Sequence, residues 1–361
     1  MTRRLIIHVG PGKTGTSAFQ KACAADRAGL ADRGVLYPDL GATAHHPVAN
    51  GISLDIGYKA NLNPFEKLLE QAEARPHDVL LLSSEGFTRA LFQTSRFLEN
   101  YCRFWEARDY AVELVCAVRP REEALESQYC QRVKILNQGM RFGPWVRDSL
   151  RELPPYLRFW KDPPRALSRR AVTFIPYDAA MKANAAAAIF SAMGLAGREP
   201  AGGTGRINPH PGWRRVEACL RLTRARFRRV GPVAPGLAKW DWGRIEPMLK
   251  IVTRAARKQG WEEEPFQGFT PEIRALAEQR LGETQEAFAQ AQWGRSWRDV
   301  FGPPALLPPA NEFDPRNADP EDNDAIQAVV RDALRAKPER NEKALSNRHA
   351  RWPLGPGNSS T

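Results

Sequence analysis

A chain of 361 residues, 42% of them apolar, holds enough material for one large packed core or two smaller ones. Its net charge of +12 suits an anionic partner (nucleotide, acidic glycan, nucleic acid or membrane surface), or else reflects a composition rich in Arg and Ala. Five scattered cysteines, Cys23, Cys102, Cys116, Cys130 and Cys219, include no CxxC pair, which argues for free thiols and against a zinc site. The first apolar run is too short for a signal peptide and no later run reaches the length of a membrane span. A soluble, cytoplasmic protein is expected.

Residues 5–9 read as a buried strand that breaks at Gly10-Pro11-Gly12, and a helix begins near Ser17. Strand, glycine turn, lysine, hydroxyls and helix start is the layout of an anion site. Backbone N–H groups at the turn and at the helix N-terminus point at the anion, with the helix dipole behind them. Lys13 adds a full charge, and Thr14, Thr16 and Ser17 add hydroxyl donors. A tight turn that merely contains a lysine has no need of three hydroxyls beside it. The loop is not a Walker A loop: the glycine required five residues before the Gly12-Lys13 pair is replaced by Ile7.

Residues 34–38 suggest a second strand, and 39–63 a long loop that carries His45 and His46. A helix over 64–74 leads to a strand over 79–85, whose unbroken apolar core predicts burial on both faces. A helix over 94–108, a strand over 111–119 and a helix over 122–134 follow. Residues 137–165 read as loop with one short helix near 143–152, then a strand over 171–178 and a helix over 183–195. Strands alternating with helices predict an α/β fold, a parallel sheet flanked by helices. Ligands bind such sheets at the carboxyl ends of the strands, so Lys13, Glu85 and Arg119 are expected on one rim. Three helices without strands are predicted over 212–229, 241–259 and 271–292. The expected organisation is a core over 1–210, a helical subdomain over 211–300 and a largely disordered tail over 301–361, with one helical patch at 322–336.

A second cluster spans 119–132. Arg119 ends a strand and Ser127 stands eight residues on along the next helix. A guanidinium fork with a hydroxyl suits a terminal phosphate monoester. The bland alternative is an ion pair of Arg119 with Glu122 or Glu123.

The order Pro11-Gly12-Lys13-Thr14-Gly15-Thr16-Ser17 resembles the 5′-phosphosulfate loop of sulfotransferases that use 3′-phosphoadenosine 5′-phosphosulfate (PAPS), usually Pro-Lys-x-Gly-Thr-Thr/Ser. Arg119 and Ser127 are similar to the pair that holds the 3′-phosphate in that family. The stretch from Phe174 to Leu195 resembles the family's fifth strand and helix. The resemblance covers about residues 3–210 and departs from the pattern at the extra Gly12 and at Pro120, which follows Arg119 directly, with Arg121 the candidate to substitute for the second Arg that the family often carries. It implies a P-loop NTPase-like sulfotransferase fold with a C-terminal helical extension. It implies PAPS as co-substrate without a metal, held by Gly12, Lys13, Thr14, Gly15, Thr16, Ser17, Arg119, Ser127 and a basic closing loop at Arg206. Lys13 then stabilises the leaving group. Glu85 takes the place of the base of glycan-type members, with His46 or His45 as rivals by analogy with small-molecule members. The implied acceptor is a hydroxyl of a carbohydrate or glycolipid, with aromatic and basic residues of 137–165 available to stack on sugars.

Two other readings stay open. Thr14 and Glu85 could hold Mg²⁺ in a small-molecule kinase. The Arg-rich stretch over 221–229 could touch phosphates in a non-catalytic nucleotide- or nucleic-acid-binding protein, or form a plain exposed helix face.

Overall fold

The computed structural model describes residues 2–10, 14–53, 62–93, 95–163, 170–201, 210–230, 242–302 and 309–337. Five strands, β1 (Arg3–His8), β2 (Val35–Leu36), β3 (Val79–Ser83), β4 (Tyr110–Val118) and β5 (Ala171–Pro176), form one sheet in the order β2-β3-β1-β4-β5. Every neighbouring pair is parallel. The expected α/β sheet flanked by helices is therefore present, with the first strand at its centre.

The apolar runs explain why both faces are covered. Leu5 and Ile7 of β1, level with Leu80 and Leu82 of β3, point to one face, and Ile6 beside Leu81 points to the other. All six are fully buried, and each such side chain contributes about 1.5–3 kcal/mol when taken from water. Neither face tolerates exposure. The first is packed by helices His46–Ser53, Leu62–Ala74, Gly86–Gln93, Ser95–Glu106, Pro155–Lys161 and Pro271–Trp293, the second by Thr16–Ala25, Arg27–Asp32, Ala179–Ala183 and Ala185–Ala192.

Several local expectations change. The stretch read as a loop over 39–63 contains helix His46–Ser53, with Pro47 in its first turn and buried Val48 and Ala49 facing the sheet. Helix Gly86–Gln93 follows β3 at once and buries Phe87 and Ala90, a three-residue spacing on a short segment. Residues 137–165 hold two helices, Phe142–Ser149 and Pro155–Lys161. Their Phe142, Trp145, Tyr156 and Phe159 are buried, so these rings serve the core and do not stack on a sugar. The helix expected over 183–195 is broken at Asn184. Its side chain accepts from Ala187 N–H and starts Ala185–Ala192, while Asp178 caps Ala179–Ala183 by accepting from Met181 N–H.

The chain divides into two compact units that are not consecutive blocks. The first comprises 1–128, 142–209 and 268–310 and contains the sheet. Helix Pro271–Trp293 lies within it, and its buried Phe288 sits in the core on one sheet face. The second comprises 129–141, 210–267 and 311–361, with helices Trp213–Val230, Trp242–Lys258 and Pro320–Leu334. The last is the helical patch expected near 322–336, and its Ile326, Val330 and Ala333 are buried. The rest of the expected tail, 338–361, lies outside the described residues.

Within the second unit the Arg-rich helix is fastened internally. Arg221 donates to Glu217 at 2.8 Å and to Asn323 at 2.9 Å, while Arg224 and Arg226 donate to the carbonyls of Gly139 and Leu136. These guanidiniums hold the unit together rather than stand ready for phosphates.

Candidate functional site

The carboxyl end of central β1 leads directly into the turn picked out in the sequence. Val9 N–H still pairs with the Val115 carbonyl of β4 at 2.8 Å, and Gly10 leaves the sheet. Gly12 and Lys13 lie outside the described residues. The chain is described again at Thr14 and Gly15, and helix Thr16–Ala25 begins. Gly15 adopts φ +75°, the left-handed region, and its carbonyl accepts from both Ala18 and Phe19 N–H at 3.0 Å. A Cβ on Gly15 would stand 2.7 Å from Ala185 Cβ, so the helix after β5 presses on this turn. The first turn of helix Thr16–Ala25 carries no side-chain cap and no acidic residue. The positive end of its dipole is thus not offset from within its own first turn. Thr14 and Thr16 are buried at the turn, and Ser17 is exposed.

A polar cluster joins the ends of β1 and β3. His8, level with Ser83 across the sheet, lies 2.9 Å from Ser83 Oγ through Nδ1, and Gln20 Nε2 donates to the same oxygen at 3.1 Å. His45 is fixed more firmly. Its Nδ1 accepts from Ser83 N–H at 2.9 Å, which leaves the proton on Nε2 to donate to the Pro38 carbonyl at 3.0 Å. Both ring nitrogens of His45 are therefore occupied, and the ring clamps β3 rather than serving as a base. Burial pushes the pKa of both His8 and His45 down to about 4.

These two imidazoles give the fold an acid limit. An unfolded chain protonates them near pH 6.5 and the folded chain only near pH 4, so stability is lost as pH falls through that window. Glu126, whose carboxylate accepts from Gly268 N–H, is raised to about 7 by burial and acts in the opposite sense between about 4.5 and 7. Burial also lowers His77 and raises Glu122, so three imidazoles stand against two carboxylates. The urea midpoint is expected to fall between pH 6.5 and pH 4, with a slope of about 1.4 kcal/mol per pH unit for the net proton. A midpoint that rises on acidification would refute these assignments for His8 and His45.

Beyond β3 the two rivals for general base stand together. Helix His46–Ser53 and the start of helix Gly86–Gln93 bring His46 Nε2 to 3.8 Å from Glu85 Oε2. His46 Nδ1 lies 2.7 Å from Ser84 Oγ, which also accepts from Gly86 N–H at 3.0 Å. Ser84 is fully buried and so orients the imidazole, whereas the His46 and Glu85 side chains remain 52% and 27% exposed. The end of β3 is tied to β1, since Ser84 N–H donates to the His8 carbonyl at 3.2 Å and Thr88 Oγ1 to the Val9 carbonyl at 3.1 Å.

On the other side of β1, β4 continues past the level of His8 and ends at Val118, beside Pro176 of β5. Arg119 follows. Its Nε donates to Glu123 at 3.1 Å, the ion pair of the bland alternative, and its guanidinium lies 5.2 Å from the Tyr177 ring centroid. Lys182 reaches the other Glu123 oxygen at 3.2 Å and lies over the same ring. Tyr177 also borders the turn, its Cε2 3.8 Å from where a Gly15 Cβ would be. Ser127 is half-buried on helix Arg121–Lys134. Arg121 is not part of this group: it is buried and donates to the Ser149 carbonyl at 2.9 Å. Arg206 lies outside the described residues.

Comparison with protein-family models, with curated proteins and with solved structures finds no match to this chain. Among the described residues no group of three or more His, Cys, Asp or Glu is placed to hold a metal, and no helix is long and apolar enough to cross a membrane. The five cysteines are buried and form no disulfide, with burial pushing Cys116 and Cys219 to about 12 and 11. Two site residues, His8 and Tyr177, are not singled out as site residues by the sequence pattern, whereas Ser84, a candidate to orient substrate, is found orienting His46. Each sits at or just past a strand's carboxyl end, and that position was the available signal.

Proposed function

We propose that the chain is a PAPS-dependent sulfotransferase that moves a sulfuryl group to an acceptor hydroxyl. The observation that carries this reading is the uncapped start of helix Thr16–Ala25 after the central strand, with no acid in its first turn and with Thr14 and Thr16 beside it. A sulfated 5′-phosphate fits that donor set: leading N–H groups, a positive dipole end and two hydroxyls. On this reading PAPS supplies the sulfuryl group and leaves as 3′-phosphoadenosine 5′-phosphate, and no metal is required. The acceptor oxygen bonds to sulfur as the bond from sulfur to the phosphate oxygen breaks.

The residues of the chain divide the remaining tasks. Glu85 takes the acceptor's proton, and His46, oriented by Ser84, stands 3.8 Å away to share it. Thr14, Thr16 and the helix start stabilise charge on the leaving phosphate, with Lys13 assigned to the same task. Arg119 and Ser127 take the 3′-phosphate, and Lys182 can hold Glu123 when that carboxylate yields Arg119 to the ligand. Tyr177 lies between this pair and the turn. The acceptor is proposed to be a carbohydrate or glycolipid because a Glu in this position resembles the glycan-type members.

Calorimetric titration with 3′-phosphoadenosine 5′-phosphate, ADP and ATP tests the assignment. The first should bind most tightly, and Arg119→Ala should weaken it about 10- to 100-fold while leaving ADP unchanged, the loss of one hydrogen-bonded charge pair. Equal binding of all three, or Mg²⁺-dependent turnover of ATP, would overturn the reading.

A further inference from the structure

His8 is a rim side chain given no task above, and its hydrogen-bond partners favour one tautomer. The ring is fully buried at the end of β1, edge-on to Phe19 at 4.9 Å. Ser83 Oγ already accepts from Gln20, so its own hydrogen can go to His8 Nδ1, the remaining polar atom at 2.9 Å. That arrangement gives Ser83 Oγ both a donor and an acceptor partner, and in this tautomer the imidazole proton is on Nε2. Nε2 is buried without a hydrogen-bond partner among the described residues. It faces the turn: a Cβ placed on Gly10 would meet it at 3.2 Å and would meet the Thr16 methyl at the same distance. A buried donor without an acceptor costs about 1–3 kcal/mol, so such a group calls for a ligand.

We propose that His8 is an anion-binding residue, whose Nε2–H donates to the tetrahedral anion held between Gly10 and the start of helix Thr16–Ala25. The sequence Gln20–Ser83–His8 is then a relay of orientation that fixes the donor tautomer. Because the ring is neutral, it adds a directed hydrogen bond without adding charge to the turn. Gly10 is needed at its position because any side chain there would lie between the imidazole and the anion. The proposal rests on the anion-site reading of the turn but not on the identity of the acceptor.

The test is nitrogen-15 NMR of the full chain with labelled histidine and labelled backbone, titrated with 3′-phosphoadenosine 5′-phosphate and, as the uncharged control, adenosine. The expected result is a slowly exchanging His8 Hε2 that moves with the bisphosphate and not with adenosine, alongside the amides of Thr14, Gly15 and Thr16. His8→Phe, which keeps the ring contact with Phe19, should weaken the bisphosphate and ADP alike by about tenfold, the scale of one lost bond to a charged group. Arg119→Ala, by contrast, should spare ADP. Moving amides with an unmoved Hε2 would overturn the role of His8 and leave the anion site standing. No change at either place would overturn both.

Discussion

A Glu85→Gln chain is expected to bind 3′-phosphoadenosine 5′-phosphate as the parent does and to lose about 10²- to 10⁴-fold in turnover, the usual contribution of a positioned general base. The substitution keeps the size of the side chain and its place at the start of helix Gly86–Gln93 but removes the proton acceptor. Since Glu85 lies across the sheet order from Arg119, with β1 between their strands, nucleotide affinity has no reason to move. His46→Gln separates the partners. With Glu85 as the base and His46 its neighbour at 3.8 Å, this second change should cost about tenfold instead of removing turnover. The reverse ranking, with His46→Gln inactive and Glu85→Gln active, would transfer the base to the imidazole. Single-turnover sulfation measured from mildly acidic to mildly alkaline pH on both variants distinguishes the two outcomes.

Gly15→Ala should damage both stability and binding. An alanine there must hold φ +75°, which costs an L-residue about 1–2 kcal/mol. Its methyl would also stand 2.7 Å from Ala185 Cβ, an overlap that forces the turn or helix Ala185–Ala192 to shift, at a further cost of about 1–3 kcal/mol. Gly194→Ala provides the control. Gly194 has φ +68° but nothing within 4 Å of where a Cβ would stand, so it carries the backbone cost without the collision. Urea melts should place Gly15→Ala well below Gly194→Ala, and only the former should lose affinity for the bisphosphate. Equal destabilisation by the two would show that the collision contributes nothing.

What could be read in the sequence follows from the range of each signal. The unbroken apolar run of β3 announced a strand covered on both faces, and the alternation of strands with helices announced parallel pairing. The rim position of Glu85 and Arg119 followed from that alone. Helix His46–Ser53 stayed hidden because its stretch is rich in Gly, His and Asn, and its helical state depends on burying Val48 and Ala49 against a sheet formed elsewhere. For the same reason His45 and His46, adjacent in sequence, could not be told apart. One ring is turned into the fold against Ser83 and Pro38, and the other outward to Glu85. The aromatic residues near 142–160 likewise looked available for sugars until Phe288, far along the chain, was seen to share a core with Tyr156 and Trp160. Non-local burial decided each of these cases, and composition carries no record of it.

The contact between Gly15 and Ala185 sets a timetable for the newborn protein. The turn after the first strand made is braced by the helix after the last, on the far side of β4 from β1. During synthesis the first half of the chain can pair β1 with β3 and β4, yet Gly15 has no neighbour at Ala185 until β5 and helix Ala185–Ala192 emerge. Contacts so distant in sequence form late, since the intervening chain must be ordered first. On the proposed function, nucleotide capture is thereby reserved for molecules whose sheet is complete.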